Sequence, residues 1–179
     1  IFTTGKIATR KLEQLQTKSL PNRQEKLVQQ YRNWLNRIAE DAGVRDIEIS
    51  TPDRPSDNAK AYDAYLFTLR GQCRTDEWLQ LQAAFYDADF LHSIKSQKFT
   101  LTGERDVVSF TLDAQAVALA SASPEQEPTG DSSGRLAMSG DEYQQAILNR
   151  NPFSPPNNPP KLTSEKSLTF NRGNPTLWN

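Results

Sequence analysis

Tyr65-Leu66-Phe67-Thr68-Leu69-Arg70-Gly71, followed by Gln72-Cys73-Arg74-Thr75-Asp76-Glu77-Trp78-Leu79, reads as a strand that passes into a helix. Tyr65, Phe67 and Leu69 alternate with Leu66, Thr68 and Arg70, the period of two that turns one apolar face toward a core. Cys73 shares the parity of that face, and Gly71 marks a candidate bulge. Thr75 then reads as an N-cap with Asp76 and Glu77 in the electropositive first turn. Trp78, Leu81, Phe85 and Ala88 recur on one helical face, ending near Phe90.

Upstream of this passage, Leu27, Tyr31, Trp34, Leu35, Ile38 and Ala42 form one continuous helical stripe, and Gly43 stands where a left-handed C-terminal cap belongs. The spacing predicts a helix over 22–42. Ile47 and Ile49 alternate with Asp46, Glu48 and Ser50 as a short edge strand, and 51–60, with Pro52, Asp53, Pro55, Asp57 and Asn58, reads as a loop. Downstream, Phe99 and Leu101 alternate with Lys98, Thr100 and Thr102. The chain turns over 103–106, and Val108, Phe110 and Leu112 alternate with Ser109, Thr111 and Asp113, so the pair is a β-hairpin. The order is helix, strand, strand, twice over. A right-handed split crossover through the second helix leaves a gap one strand wide, which the fourth strand fills. The expected fold is α+β: a two-layer sandwich, circularly permuted ferredoxin-like (αββαββ), antiparallel in the order 1-2-4-3, with both helices on one face.

Outside that unit, Ala8, Leu12 and Leu15 are a fragment of a helical seam, too short to stand alone in water, and read as the end of a longer helical stem. Residues 121–134 contain no large apolar side chain and read as linker. A short helical patch with Tyr143, Ile147 and Leu148 leads to Asn151-Pro152-Phe153, then to the Pro-rich 154–161, and finally to Leu168-Thr169-Phe170, a candidate strand. The expected divisions are a helical stem over 1–20, the ferredoxin-like domain over 21–120, a flexible linker over 121–140 and a long irregular tail over 141–179. The first residue is Ile1 rather than Met and no signal segment is apparent, the pattern expected of a processed or truncated piece.

Composition excludes several classes. Lys and Arg number 21 against 22 Asp and Glu, so no polyelectrolyte partner is indicated. The charge is uneven: residues 1–40 carry 8 basic and 3 acidic side chains (+5), residues 41–90 carry 5 and 10 (−5). A lone Cys73 permits no intramolecular disulfide, and one His with one Cys cannot furnish a Cys/His zinc site. The weak apolar run 116–122 is far short of the ~20 residues of a membrane span.

The residues that carry chemistry elsewhere are poorly supported here. His92 is the only imidazole and has no local partner for a nucleophilic mechanism, and Cys73 reads as a buried, inert thiol. Asp87 with Asp89, and Glu104 with Asp106, lack supporting ligands for a hard cation. The scattered glycines form no phosphate loop, and no cofactor is expected. Outward strand positions carry Leu66, Thr and Ser but no aromatic, which argues against an RNA-binding sheet. Asn151-Pro152-Phe153 and the Pro-rich run fit either a peptide-recognition motif or a semi-rigid spacer.

The stripe Tyr31-Arg32-Asn33-Trp34-Leu35 continuing to Ala42-Gly43, the passage Tyr65 to Leu79 and the closing hairpin together resemble the PilO-like and GspM-like inner-membrane platform proteins of type IV pili and type II secretion machines. The resemblance covers roughly residues 6–120. It implies a coiled-coil stem, a periplasmic domain of this permuted order anchored by a membrane helix, and no enzymatic activity. The membrane helix is absent from this sequence, and the tail with Asn151-Pro152-Phe153 is not a standard part of the family. The expected function is an assembly module acting through homo- or hetero-dimerisation with a ferredoxin-like partner, with Ile47, Ile49, Leu66, Lys98 and Phe153 as candidate contact residues. A peptide-motif partner for the tail is a further expectation, and a small-ligand regulatory domain is the alternative.

Overall fold

A computed structural model of the chain describes residues 2–104, 106–126, 132–134, 136 and 138–150. Among the described residues, four helices and five strands follow in the order α1 (Phe2–Lys18), α2 (Gln24–Asp41), β1 (Arg45–Ser50), β2 (Asp57–Ala59), β3 (Tyr62–Arg74), α3 (Thr75–Asp87), β4 (His92–Leu101), β5 (Val107–Leu119) and α4 (Gly140–Arg150). The sheet is antiparallel and runs β1-β3-β5-β4, with the short β2 paired to the start of β3. Leaving β2 aside, this is the 1-2-4-3 order that the split crossover demands. β2 itself lies in the stretch read as a loop; it is a three-residue hairpin arm tied down by Tyr62 Oη donating to Asp57 (2.9 Å).

The core lies between the sheet and α2 with α3. Leu27, Tyr31, Trp34, Leu35 and Ile38 of α2 and Trp78, Leu81 and Phe85 of α3 are buried in one cluster with Tyr65, Phe67, Leu69 and Cys73 of β3. Aromatic rings set its centre, with Tyr31 4.7 Å from Phe67 and Trp78 4.7 Å from Phe110 between ring centroids. α2 ends in a Schellman arrangement: Gly43 has φ +84°, its N–H reaches the Glu40 carbonyl (2.9 Å), and the Val44 N–H reaches Ala39 (2.9 Å). α3 begins one residue earlier than the sequence pattern places it. Arg74 is the N-cap, and its N–H is taken by the Glu77 carboxylate at 2.6 Å, so Thr75 lies within the first turn. The helix also stops at Asp87, short of Phe90.

Two irregularities set which side chains face the core. Between Arg45 and Glu48, β1 carries one more residue than β3, and Asp46 takes φ +53° there. The bulge expected at Gly71 is thus on the opposite strand, while Gly71 itself pairs regularly with Phe110. In β4, the register slips between Ile94 and Ser96, leaving Lys95 as the extra residue. His92 and Ile94 point to the helices before the slip, and Gln97, Phe99 and Leu101 after it. β5 continues well past Leu112, because Ala114, Ala116 and Ala118 alternate inward, fully or almost fully buried, opposite Phe67, Tyr65 and Asp63.

α1 and α4 flank this sandwich. The C-terminal end of α1 is fastened to the domain by the Lys18–Asp89 ion pair (2.7 Å) and by the Leu91 N–H on the Lys18 carbonyl (3.0 Å). Gln126 Nε2 caps the carbonyls of Gln16 (2.8 Å) and Thr17 (3.0 Å). Ser19, fully buried, accepts the Leu119 N–H at 2.8 Å. Residues within the stretch read as a linker also touch the domain: Glu125 pairs with Lys26 (2.9 Å), and the Ser133 N–H bonds the Asp87 carbonyl (2.5 Å). α4 packs on α3, with Tyr143 and Ile147 beside Leu79, Ala83 and Tyr86. The Ser139–Glu142 capping box starts it.

Candidate interaction site

The sheet's helix-free face is organised around Asp113. Its carboxylate accepts from Ser96 Oγ (2.6 Å) and Thr68 Oγ1 (2.7 Å), its register partners on β4 and β3. These bonds, the Ser96 one foremost, together with the charges of Lys98 and Arg70, hold its carboxyl below the usual carboxylate range. Arg70, whose charge bears on Asp113, reaches Glu48 at 3.8 Å, so these polar groups span the four strands from β4 to β1. This face is polar and laced together. Leu66 is the large apolar side chain exposed on it, at 39%, and Lys98 stands exposed beside the network.

Ile47 and Ile49 are half-buried on β1 and turn inward against the core, so this strand offers a partner its free backbone edge rather than those side chains. The outer edge of β4 is likewise unpaired among the described residues, with Lys95 and Lys98 exposed along it. The structure therefore gathers Leu66 and Lys98 on one face and Ile47 with Ile49 at the far edge. Phe153 and the rest of the tail lie outside the described residues.

Two apolar surfaces were not anticipated as sites. On α1, Leu12 is 50% exposed and Leu15 43%, with Ile7 also exposed. The helix that carries them is fastened to the domain at its C-terminal end, through Lys18, Ser19 and Gln126. The second surface is a groove of about 600 Å³ between the N-terminal half of α3, the β4–β5 hairpin and Ile147 of α4. Its lining includes Trp78, Phe99, Leu101, Val107 and Val108. Phe99 and Leu101, the apolar positions of the strand alternation, are 49% and 86% exposed because the helix layer ends before the strand does. A hydrophobic face outrunning its cover leaves no trace in strand periodicity.

The remaining reactive groups are occupied structurally. His92 Nδ1 lies 3.0 Å from Tyr31 Oη, and its ring stacks on Phe85 at 4.1 Å within an aromatic cluster that includes Trp34 and Phe90. Cys73 is buried, and burial, aided by Glu77, pushes its thiol up to about 12, so thiolate chemistry is suppressed at neutral pH. Among the described residues no three His, Cys, Asp or Glu side chains come together as a metal site, and no helix is long and apolar enough to cross a membrane.

No family model matches the sequence, and no curated protein matches it. Among solved structures, the chain is similar to the type 4 fimbrial biogenesis protein PilO from Pseudomonas aeruginosa, at 8% identity and a TM-score of 0.45 over 49% of this chain and 66% of that one. It is also similar to a protein from Akkermansia muciniphila, at 9% identity and a TM-score of 0.44 over 64% of this chain and 70% of that one. The chain thus spans just under two thirds of the PilO chain. Both TM-scores lie below 0.5, and neither likeness assigns a function.

Proposed function

We propose that this chain is a non-enzymatic assembly module that pairs with a second copy of itself or with a homologous ferredoxin-like partner. Its place, as the sequence resemblance implies, is the periplasmic side of an inner-membrane platform in a type IV pilus or type II secretion machine. The observation that carries the reading is the exposed Leu12–Leu15 stripe on a helix whose last turn is fixed to the domain by Lys18, Ser19 and Gln126. Leucines at a three-residue spacing gain from burial against a like helix, and a rigid joint converts that contact into a defined domain orientation. The polar open face and the free edges of β1 and β4 then supply secondary contacts, with Leu66 at their apolar point.

Each of these surfaces is modest, so the affinity expected is micromolar or weaker. Sedimentation equilibrium of the full chain tests it. A monomer–dimer equilibrium that is abolished by Leu12→Glu with Leu15→Glu and weakened by Leu66→Asp supports the reading. A strict monomer at several hundred micromolar contradicts it. A second reading, a small-ligand regulatory domain, draws on the groove beside Trp78 and Phe99, and a metabolite retained in native mass spectrometry would favour it.

A further inference from the structure

At the groove beside the β4–β5 hairpin the sheet's inward face is left open at Phe99 and Leu101. Next to it that face is covered: Phe110, Leu112, Ala114 and Ala116 are buried under α2 and α3. Phe99 and Leu101 share their facing because they follow the β4 slip, and they pair across to Phe110 and Val108. Trp78 stands edge-on over Phe99 at 4.9 Å, closing the inner end of the groove and leaving the outer end, at Leu101, bare. Exposed aromatic and aliphatic side chains brought together in this way mark an occupied surface rather than a solvated one.

We infer that the occupant is this chain's own segment 151–161, with Phe153 seated between Trp78, Phe99 and Leu101. The position of the chain singles it out. Ile147 of α4 already lines the groove, and the helix ends three residues later at Arg150. Phe153 follows Ile147 by six residues, a reach of at most about 20 Å even fully extended. It is the first large apolar side chain after Arg150. Pro152 cannot continue the helix and biases Asn151 toward extended backbone, which turns the chain off the α4 axis. The Pro-rich stretch after it loses little entropy on lying against an apolar surface. Charge agrees with this placement: Glu104 and Asp106 line the hairpin side of the groove, and the first charged residue beyond Arg150 is the basic Lys161. Docking within the chain also shields the one large apolar corner of the domain, so that association between copies is directed to α1 and the sheet instead.

Two measurements on the full chain test this. With Gln97→Cys on the groove and Ser154→Cys after Phe153, a short bifunctional maleimide should link the two sites within one molecule, at a yield independent of dilution; Cys73, buried, is a spectator. Hydrogen exchange at 97–101 and 107–108 should accelerate on the order of tenfold in Phe153→Ser while β1 and β3 are unchanged. An absent link, a link formed only between molecules, exchange unaffected by Phe153→Ser, or a small apolar ligand held in the groove of the purified full chain would each overturn the inference.

Discussion

At Gly71 the sheet has no room for a side chain. A Cβ there would sit 2.5 Å from Val44 Cγ1 and 3.0 Å from the Arg45 carbonyl oxygen, because the β1 bulge brings the chain just after α2 over β3. Gly71→Ala should therefore cost about 1–3 kcal/mol as overpacking, measured by urea denaturation. Unchanged stability would place the bulge elsewhere. Asp113 makes a second residue-level claim. Its carboxyl is more acidic folded than unfolded, so its contribution is complete above the unfolded value of about 3.9 and is lost as pH falls through the lower folded value. Asp113→Asn should lose about 1 kcal/mol at pH 7 and nothing once the Asp113 carboxyl is protonated in both the folded and the unfolded chain. A pH-independent difference between the two proteins would remove charge from the explanation. Asp113 was legible from sequence as an outward residue, but its bonds to Ser96 and Thr68 were not, because cross-strand register depends on the β4 slip.

Among the elements, those with a strong period were readable. The α2 stripe, the β3 alternation and the hairpin each bury one face, and together they are satisfied by one layer order. The misses share a cause: they involve residues whose type says little. The β5 extension rests on Ala114, Ala116 and Ala118, which carry little strand preference and are chosen here because bulky β3 side chains face them. The β4 slip moves inward parity from even to odd numbers, which defeats a single alternating pattern. The joint between α1 and the domain was likewise invisible, since it depends on Ser19, a residue ordinarily found at the surface. Ser19→Ala would remove the acceptor of the N–H of half-buried Leu119, for a loss of about 1 kcal/mol and faster exchange at Leu119. Retained protection at Leu119 would mean that another acceptor serves it and that the joint is looser than described.

At the scale of the whole molecule, His92 and Cys73 are held within the core, and the contact residues expected from sequence are spread over separate surfaces. Of the contact residues expected from sequence, Leu66 and Lys98 lie on the open face, Ile47 and Ile49 turn inward, and Phe153 lies beyond the described residues. Apart from the hairpin groove, exposed apolar side chains also stand on α1, at Ile7, Leu12 and Leu15. A three-residue seam fragment indicates a helix, but only the fastening of its end shows that the helix is held against the domain. The central claim is that this fixed stripe, assisted by the sheet, joins two copies. Amide chemical shifts of the full chain followed by dilution from several hundred micromolar test it most directly. The account predicts concentration-dependent shifts centred on 7–15 and extending to Leu66 and β1, whereas shifts that do not move on dilution, or that move only around the hairpin groove, would contradict it.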